Sequence, residues 1–248
     1  MSRPDAGELA RILTGGEMDF AEAETYFDGK APVTRREFLQ IREEYRTLAF
    51  TVGSYTKIQV IRRYQEVLSD AIREGKTVRE FKAQMDTYLQ DHGYKGMTPF
   101  SADSIFRTNV QTAYNVGHYR QMTSPTVKAL RPYWQYVAVQ DSSTRPAHRA
   151  MGGRVYPADS PVWDVWYPPN GYRCRCTVVT LSRRQVEQMG LTVETQAPRR
   201  VQAADGTVIT IQPDVYFQTN PAKREWSPDL SGYPPALVKA YRAMTAKE

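Results

Sequence analysis

The chain of 248 residues is poor in cysteine and histidine, with two and three copies, and it contains no run of about 18 apolar residues. Each shortage excludes something. Two cysteines cannot form a disulfide framework, and a bond between Cys174 and Cys176 would close a very small ring at poor geometry. Without a long apolar run, no membrane span is expected. The first residues, Met-Ser-Arg-Pro-Asp-Ala-Gly-Glu, lack the apolar stretch of a secretion signal, so residence in a cytoplasm is expected. There is no His-Glu-x-x-His, no phosphate-binding glycine loop and no Gly-x-Ser-x-Gly, which removes the commonest signs of a metalloprotease, a nucleotide site or a serine hydrolase. Internal repeats and low-complexity tracts are also missing. A mean hydropathy of −0.58 is lean for a compact protein and suits one that is elongated or covered by partners.

What is present is a basic charge, unevenly placed. The net charge is +6, yet residues 101–200 alone carry 13 basic and 6 acidic residues. Nearly all of that excess is arginine, which suits phosphate and carboxylate contacts better than lysine does. It equally suits a solvated face or a surface that meets an acidic protein.

The first 125 residues read as helices. Asp5–Leu13 and Asp19–Phe27 look like short ones. Thr34-x-x-Glu37 and Thr77-x-x-Glu80 are capping boxes, opening helices over 34–49 and 78–91. Ile58, Ile61, Tyr64, Leu68 and Ile72 form one apolar stripe over 54–73, with Gly75 as a stop. Ser101 or Asp103 caps a long helix to Met122. Pro125 and Pro132 then mark a change of texture. Tyr133–Gln140 and Cys174–Leu181 read as strands, separated by a long loop, Asp141–Pro169. Ser182-x-x-Gln185 opens a short helix, and 201–211 reads as a hairpin turning at Asp205-Gly206. Residues 212–235 are irregular, and Ala236–Met244 forms a terminal helix. The expected fold is α+β: a helical half over 1–100, a small mixed domain over 101–200 with a few-stranded, largely antiparallel sheet and a long ordered loop, and a hairpin with a Pro-rich tail over 201–248.

Chemistry concentrates between Asp141 and Cys176. On a strand, alternate residues share a face, so Cys174 and Cys176 point one way and Arg173 and Arg175 the other. Pairing with Tyr133–Gln140 would bring the thiols towards Asp141 and His148. Asp141, His148, Cys174 and Cys176 then form a mixed donor set that zinc accepts. A second reading is purely structural. Asp141 makes an Asx turn, and Pro146 starts a short helix capped by Thr144 and ended by Gly152-Gly153. His148 then bonds a carbonyl or Asp141, and the cysteines pack against Trp163 or Trp166. A third is catalytic, a metal-dependent nuclease or other hydrolase using Asp141 and His148, although no second carboxylate stands at a telling spacing. Arg145, Arg149, Arg154, Arg173 and Arg175 are the candidate contacts for DNA or an acidic partner. His92 and His118 sit in helical context as ordinary residues.

These motifs also resemble those of a family, the head morphogenesis or Mu F-like minor head proteins of tailed bacteriophages. Phe106-Arg107-Thr108-Asn109 and Ala113-Tyr114-Asn115 match its first element. Asp141, Thr144, Arg145, Pro146, His148 and Gly152 match its second. Pro169, Asn170, Cys174, Arg175 and Cys176 match its third. Phe27-Asp28-Gly29-Lys30 and Ala49-Phe50-Thr51-Val52 are similar to longer members. The chain departs from the pattern near the C-terminus, where Asn220-Pro221 stands without the family's flanking glycines. The resemblance implies a non-enzymatic virion component present in few copies. It would be made in the host cytoplasm and linked to the portal protein, the major capsid or scaffold protein and packaged DNA.

Overall fold

The computed structural model describes residues 21–41, 46, 48–203 and 206–223. Its helical half begins with α1 (Ala21–Asp28), a two-residue strand β1 (Ala31–Pro32), α2 (Arg35–Gln40) and β2 (Ala49–Phe50), which pairs in parallel with β1. Two long helices follow, α3 (Ile58–Glu74) and α4 (Val78–Asp91), and then the 24-residue α5 (Pro99–Met122). Local chemistry sets their ends. Thr34 and Thr77 each accept from the amide three residues on, and Glu37 and Glu80 return the bond, so orphan donors at both N-termini are satisfied. Gly75 takes the left-handed conformation that ends α3. α5 starts earlier than expected, at Pro99 under a Thr98 cap, because proline fits the first helical turn, where its missing N–H costs nothing. Residues 34–49 do not form one helix: α2 stops at Gln40 and the chain is extended again by Ala49. The proposed helices at Asp5–Leu13 and Ala236–Met244 lie outside the described residues, as do residues 224–235.

The apolar stripe of α3 is buried as its spacing demands. Ile61, Tyr64, Val67 and Leu68 are fully covered, each contributing about 1.5–3 kcal/mol of transfer free energy at most. They pack with Phe27, Phe50, Phe81, Met85 and Leu89 and with Ala102, Ala113 and Val116 of α5. Gly117 lets α5 approach α1: a Cβ there would lie 3.0 Å from the Ala23 amide nitrogen.

A second core forms beyond α5. After α6 (Pro125–Leu130), the antiparallel sheet runs β4 (Val155–Pro157), β3 (Tyr133–Val137) and β5 (Thr177–Leu181), with β3 in the centre. Trp134 and Tyr136 point inward from β3 against Trp163, Trp166 and Tyr167. Met122, from the last turn of α5, joins this core, so α5 lines both. The long loop is more regular than expected. It contains α7 (Pro146–Met151), β4 and α8 (Val162–Trp166). The capping box at Ser182 opens α9 (Arg183–Gln188), and β6 (Arg200–Gln202) pairs with β7 (Val208–Thr210) as the expected hairpin. The architecture is α+β, with the helices first and small antiparallel sheets after them.

Candidate metal centre

The Asp141 carboxylate forms the Asx turn, accepting the Ser143 amide at 3.0 Å and the Thr144 hydroxyl at 3.2 Å. Pro146 then starts α7, with Arg145 rather than Thr144 at the cap position. One turn of helix carries His148 inward to 2% exposure. Gly153, at φ +86°, turns the chain back, and its amide donates to the Tyr136 carbonyl at 2.8 Å.

The cysteines arrive from the other side. Asn170 is wholly buried, and the Cys174 amide closes a turn onto the Gly171 carbonyl at 3.2 Å. Arg173, within that turn, has φ +58°, a left-handed conformation that only a firmly held non-glycine residue keeps. Its amide is fixed at 3.1 Å from the Thr108 hydroxyl of α5. The ladder therefore begins at Thr177 and not at Cys174, and the cysteines lie just ahead of the strand. Their alternation survives: Cys174 and Cys176 are 3% and 2% exposed, while Arg175 points away to Asp141.

His148, Cys174 and Cys176 come together. The Nδ1 of His148 is 3.7 Å from each Sγ, and the three potential ligand atoms lie within 4.8 Å of one another. The Nε2 of His148 is buried and has no hydrogen-bond partner among the described residues, and its ring meets Trp166 edge-on at 6.1 Å. Hydrogen bonds from Cys176, and then from His148, favour the Cys174 thiolate; the same contact with Cys174, and burial, hold Cys176 protonated.

The fourth expected ligand is elsewhere. Both Asp141 oxygens engage the Arg175 guanidinium, at 2.6 and 2.7 Å, and this bidentate pair holds the carboxyl down at about 2. Aspartate is an unusual ligand for structural zinc, and here the arginine between the cysteines claims Asp141. The other candidate arginines also have partners within the chain. Arg145 pairs with Asp214 at 2.9 Å, Arg154 with Glu194 at 2.7 Å and Arg173 with Asp103 at 2.7 Å, while Arg149 donates to the Asp141 carbonyl at 2.7 Å. They tie the loop to its surroundings as well as carrying charge outward.

The motifs include Asn115 and Asn170 but give neither a role, and Tyr136 and Tyr167 stand outside them; all four form the polar support behind the site. Asn115, fully buried on α5, donates to the Cys176 carbonyl at 3.2 Å and accepts the Thr177 hydroxyl at 3.0 Å. The Tyr167 hydroxyl donates to the Asn115 carbonyl at 2.7 Å. The Tyr136 hydroxyl, on β3, donates to Asn170 Oδ1 at 2.8 Å. The usable signal was an asparagine set among Ala113, Val116 and Gly117, since a buried amide needs partners. Asn220, from the departing C-terminal element, is 2% exposed and donates to the Trp163 carbonyl at 3.0 Å, so that segment fastens α8.

Residues 62–179, from inside α3 to inside β5, match the model of the Phage Mu protein F like protein family and contain the whole cluster. The chain is 34% identical over 189 residues to the putative capsid assembly protein F of Escherichia phage Mu, covering 69% of this chain and 42% of that protein. The Mu-like prophage FluMu F protein of Haemophilus influenzae is 36% identical over 157 residues, covering 58% and 37%. An uncharacterized protein of Methanocaldococcus jannaschii is 25% identical over 186 residues, covering 70% and 26%. The chain thus spans less than half the length of these relatives. No solved structure matches. By this match and these relatives, the chain belongs to the Mu F-like family of proteins.

Proposed function

We propose that this chain acts in the assembly of a tailed-phage head, as a structural and not a catalytic component. The observation that carries this reading is the similarity to the capsid assembly protein F of phage Mu. The finer proposal is that the protein resides in the virion near the portal vertex. There it contacts the portal protein, the major capsid or scaffold protein and packaged DNA through its basic middle segment.

The site favours the structural reading over the hydrolase. A nuclease needs its metal or base open to substrate. Here His148 is 2% exposed and both oxygens of Asp141 are held by Arg175. The same ion pairs that occupy the arginines are mostly half-exposed, so a phosphate or an acidic surface could compete for them. Phosphate contact makes affinity fall steeply with salt, because binding releases counterions.

Head fractionation is the direct test. Heads assembled with the gene intact should contain the chain and release it with the portal complex; heads made without it should be non-infectious. Infectious heads that lack the chain would overturn the proposal. DNA cleavage that His148→Ala abolishes would restore the hydrolase.

A further inference from the structure

We propose that His148, Cys174 and Cys176 bind one zinc ion, which fastens α7 to the segment entering β5. The geometry points there in three ways. First, a tetrahedral zinc with bonds of about 2.3 Å to sulfur and about 2.0 Å to nitrogen sets its nitrogen and sulfur ligands roughly 3.6 Å apart. His148 Nδ1 stands 3.7 Å from both sulfurs. A single hydrogen bond would draw the ring towards one thiol; equal spacing is what a shared ion requires. Second, among the described residues no polar group other than the two thiols engages the ring, since Nε2 has no hydrogen-bond partner there. Third, the groups around the sulfurs are already anchored. Gln111 and Asn115 hold the Cys176 carbonyl, at 3.4 and 3.2 Å, and the Arg175–Asp141 pair fixes the residue between the two thiols. Such outer contacts keep ligands in place for a metal.

The donor set chooses the ion. Two thiolates and an imidazole suit zinc and other soft ions, and are poor ligands for magnesium or calcium. Two thiolates also neutralise a divalent charge in a buried site. Three protein ligands leave a fourth position, which a water would complete; with His148, Cys174 and Cys176 all nearly inaccessible, that position is closed to substrate and the ion is structural. It closes the loop between α7 and β5, a segment that carries only short elements of its own.

The test is elemental analysis of protein purified under reducing conditions without chelator, joined to cobalt titration of the reduced apoprotein. The expected results are about one zinc per chain and a thiolate-to-cobalt charge-transfer band with intense tetrahedral absorption. Cys174→Ser, Cys176→Ser and His148→Gln should each weaken cobalt binding by at least about tenfold, whereas His92→Gln, at an exposed position outside the cluster, should leave it unchanged. Protein that contains no zinc and develops no charge-transfer band with cobalt would overturn the proposal. So would cobalt affinity left unchanged in all three ligand variants. Because the wild-type titration needs no variant to fold, it decides the question by itself.

Discussion

Asn115 joins the long helix to the cysteine segment, and removing its side chain should be unusually costly. Asn115→Ala deletes two hydrogen bonds, one to the Cys176 carbonyl at 3.2 Å and one from the Thr177 hydroxyl at 3.0 Å. A typical bond contributes about 1 kcal/mol net, and a buried group left unpaired costs about 1–3 kcal/mol more. The Cys176 carbonyl keeps part of its pairing through Gln111 at 3.4 Å, which lowers the upper end. The expected loss is about 2–4 kcal/mol, read as a shift in the urea midpoint at constant slope. Asn115→Asp preserves volume but turns a carboxylate towards a carbonyl. It should cost at least as much at neutral pH, and less in acid, where protonation restores a donor. In a double-mutant cycle with Thr177→Val, the two losses should overlap by roughly 0.5–1.5 kcal/mol. A loss under about 1 kcal/mol for Asn115→Ala, or additive losses with Thr177→Val, would refute this account of how α5 holds the site.

Two further measurements probe α5. Gly117→Ala gains about 1 kcal/mol of helix propensity, but drives a Cβ to 3.0 Å from the backbone nitrogen of Ala23; repacking two helices costs about 1–3 kcal/mol, so a net destabilisation should appear in thermal melts, and a stabilised variant would show that α1 yields. Burial lowers His118 from 6.5 to about 4, so its neutral form is the folded one: the stability it protects is intact above pH 6.5 and falls away as pH drops towards 4, by at most about 3 kcal/mol, and His118→Leu should flatten that slope.

The local signals were legible because they need only neighbours in sequence. The Thr34, Thr77 and Ser182 capping boxes and the α3 stripe are of this kind, and each lies where its pattern put it. Elements that depend on distant partners were not. β4 has three residues and α8 has five, too few to show a period, and both are ordered by the tryptophan-rich core. Pro125 reads as a breaker, yet it begins α6, since proline is equally at home in a first turn. At the site, the Arg-Cys alternation correctly separated the thiols from the guanidinium of Arg175. Only the three-dimensional arrangement could show that this guanidinium takes Asp141, because their relation depends on where the loop returns. The expected boundary at residue 100 falls at the start of α5, a helix that serves both cores.

That shared helix means that the segment matched by the family model is not a folding unit. The family segment, 62–179, starts part-way along α3 and stops part-way along β5. Cut out at those points, it would leave behind Phe27, Phe50 and Val52, which share a core with α5, and Leu181, which ends β5. Loosening Phe27 or Phe50 would therefore reach the cysteine loop through α5, whose Asn115 holds the Cys176 carbonyl.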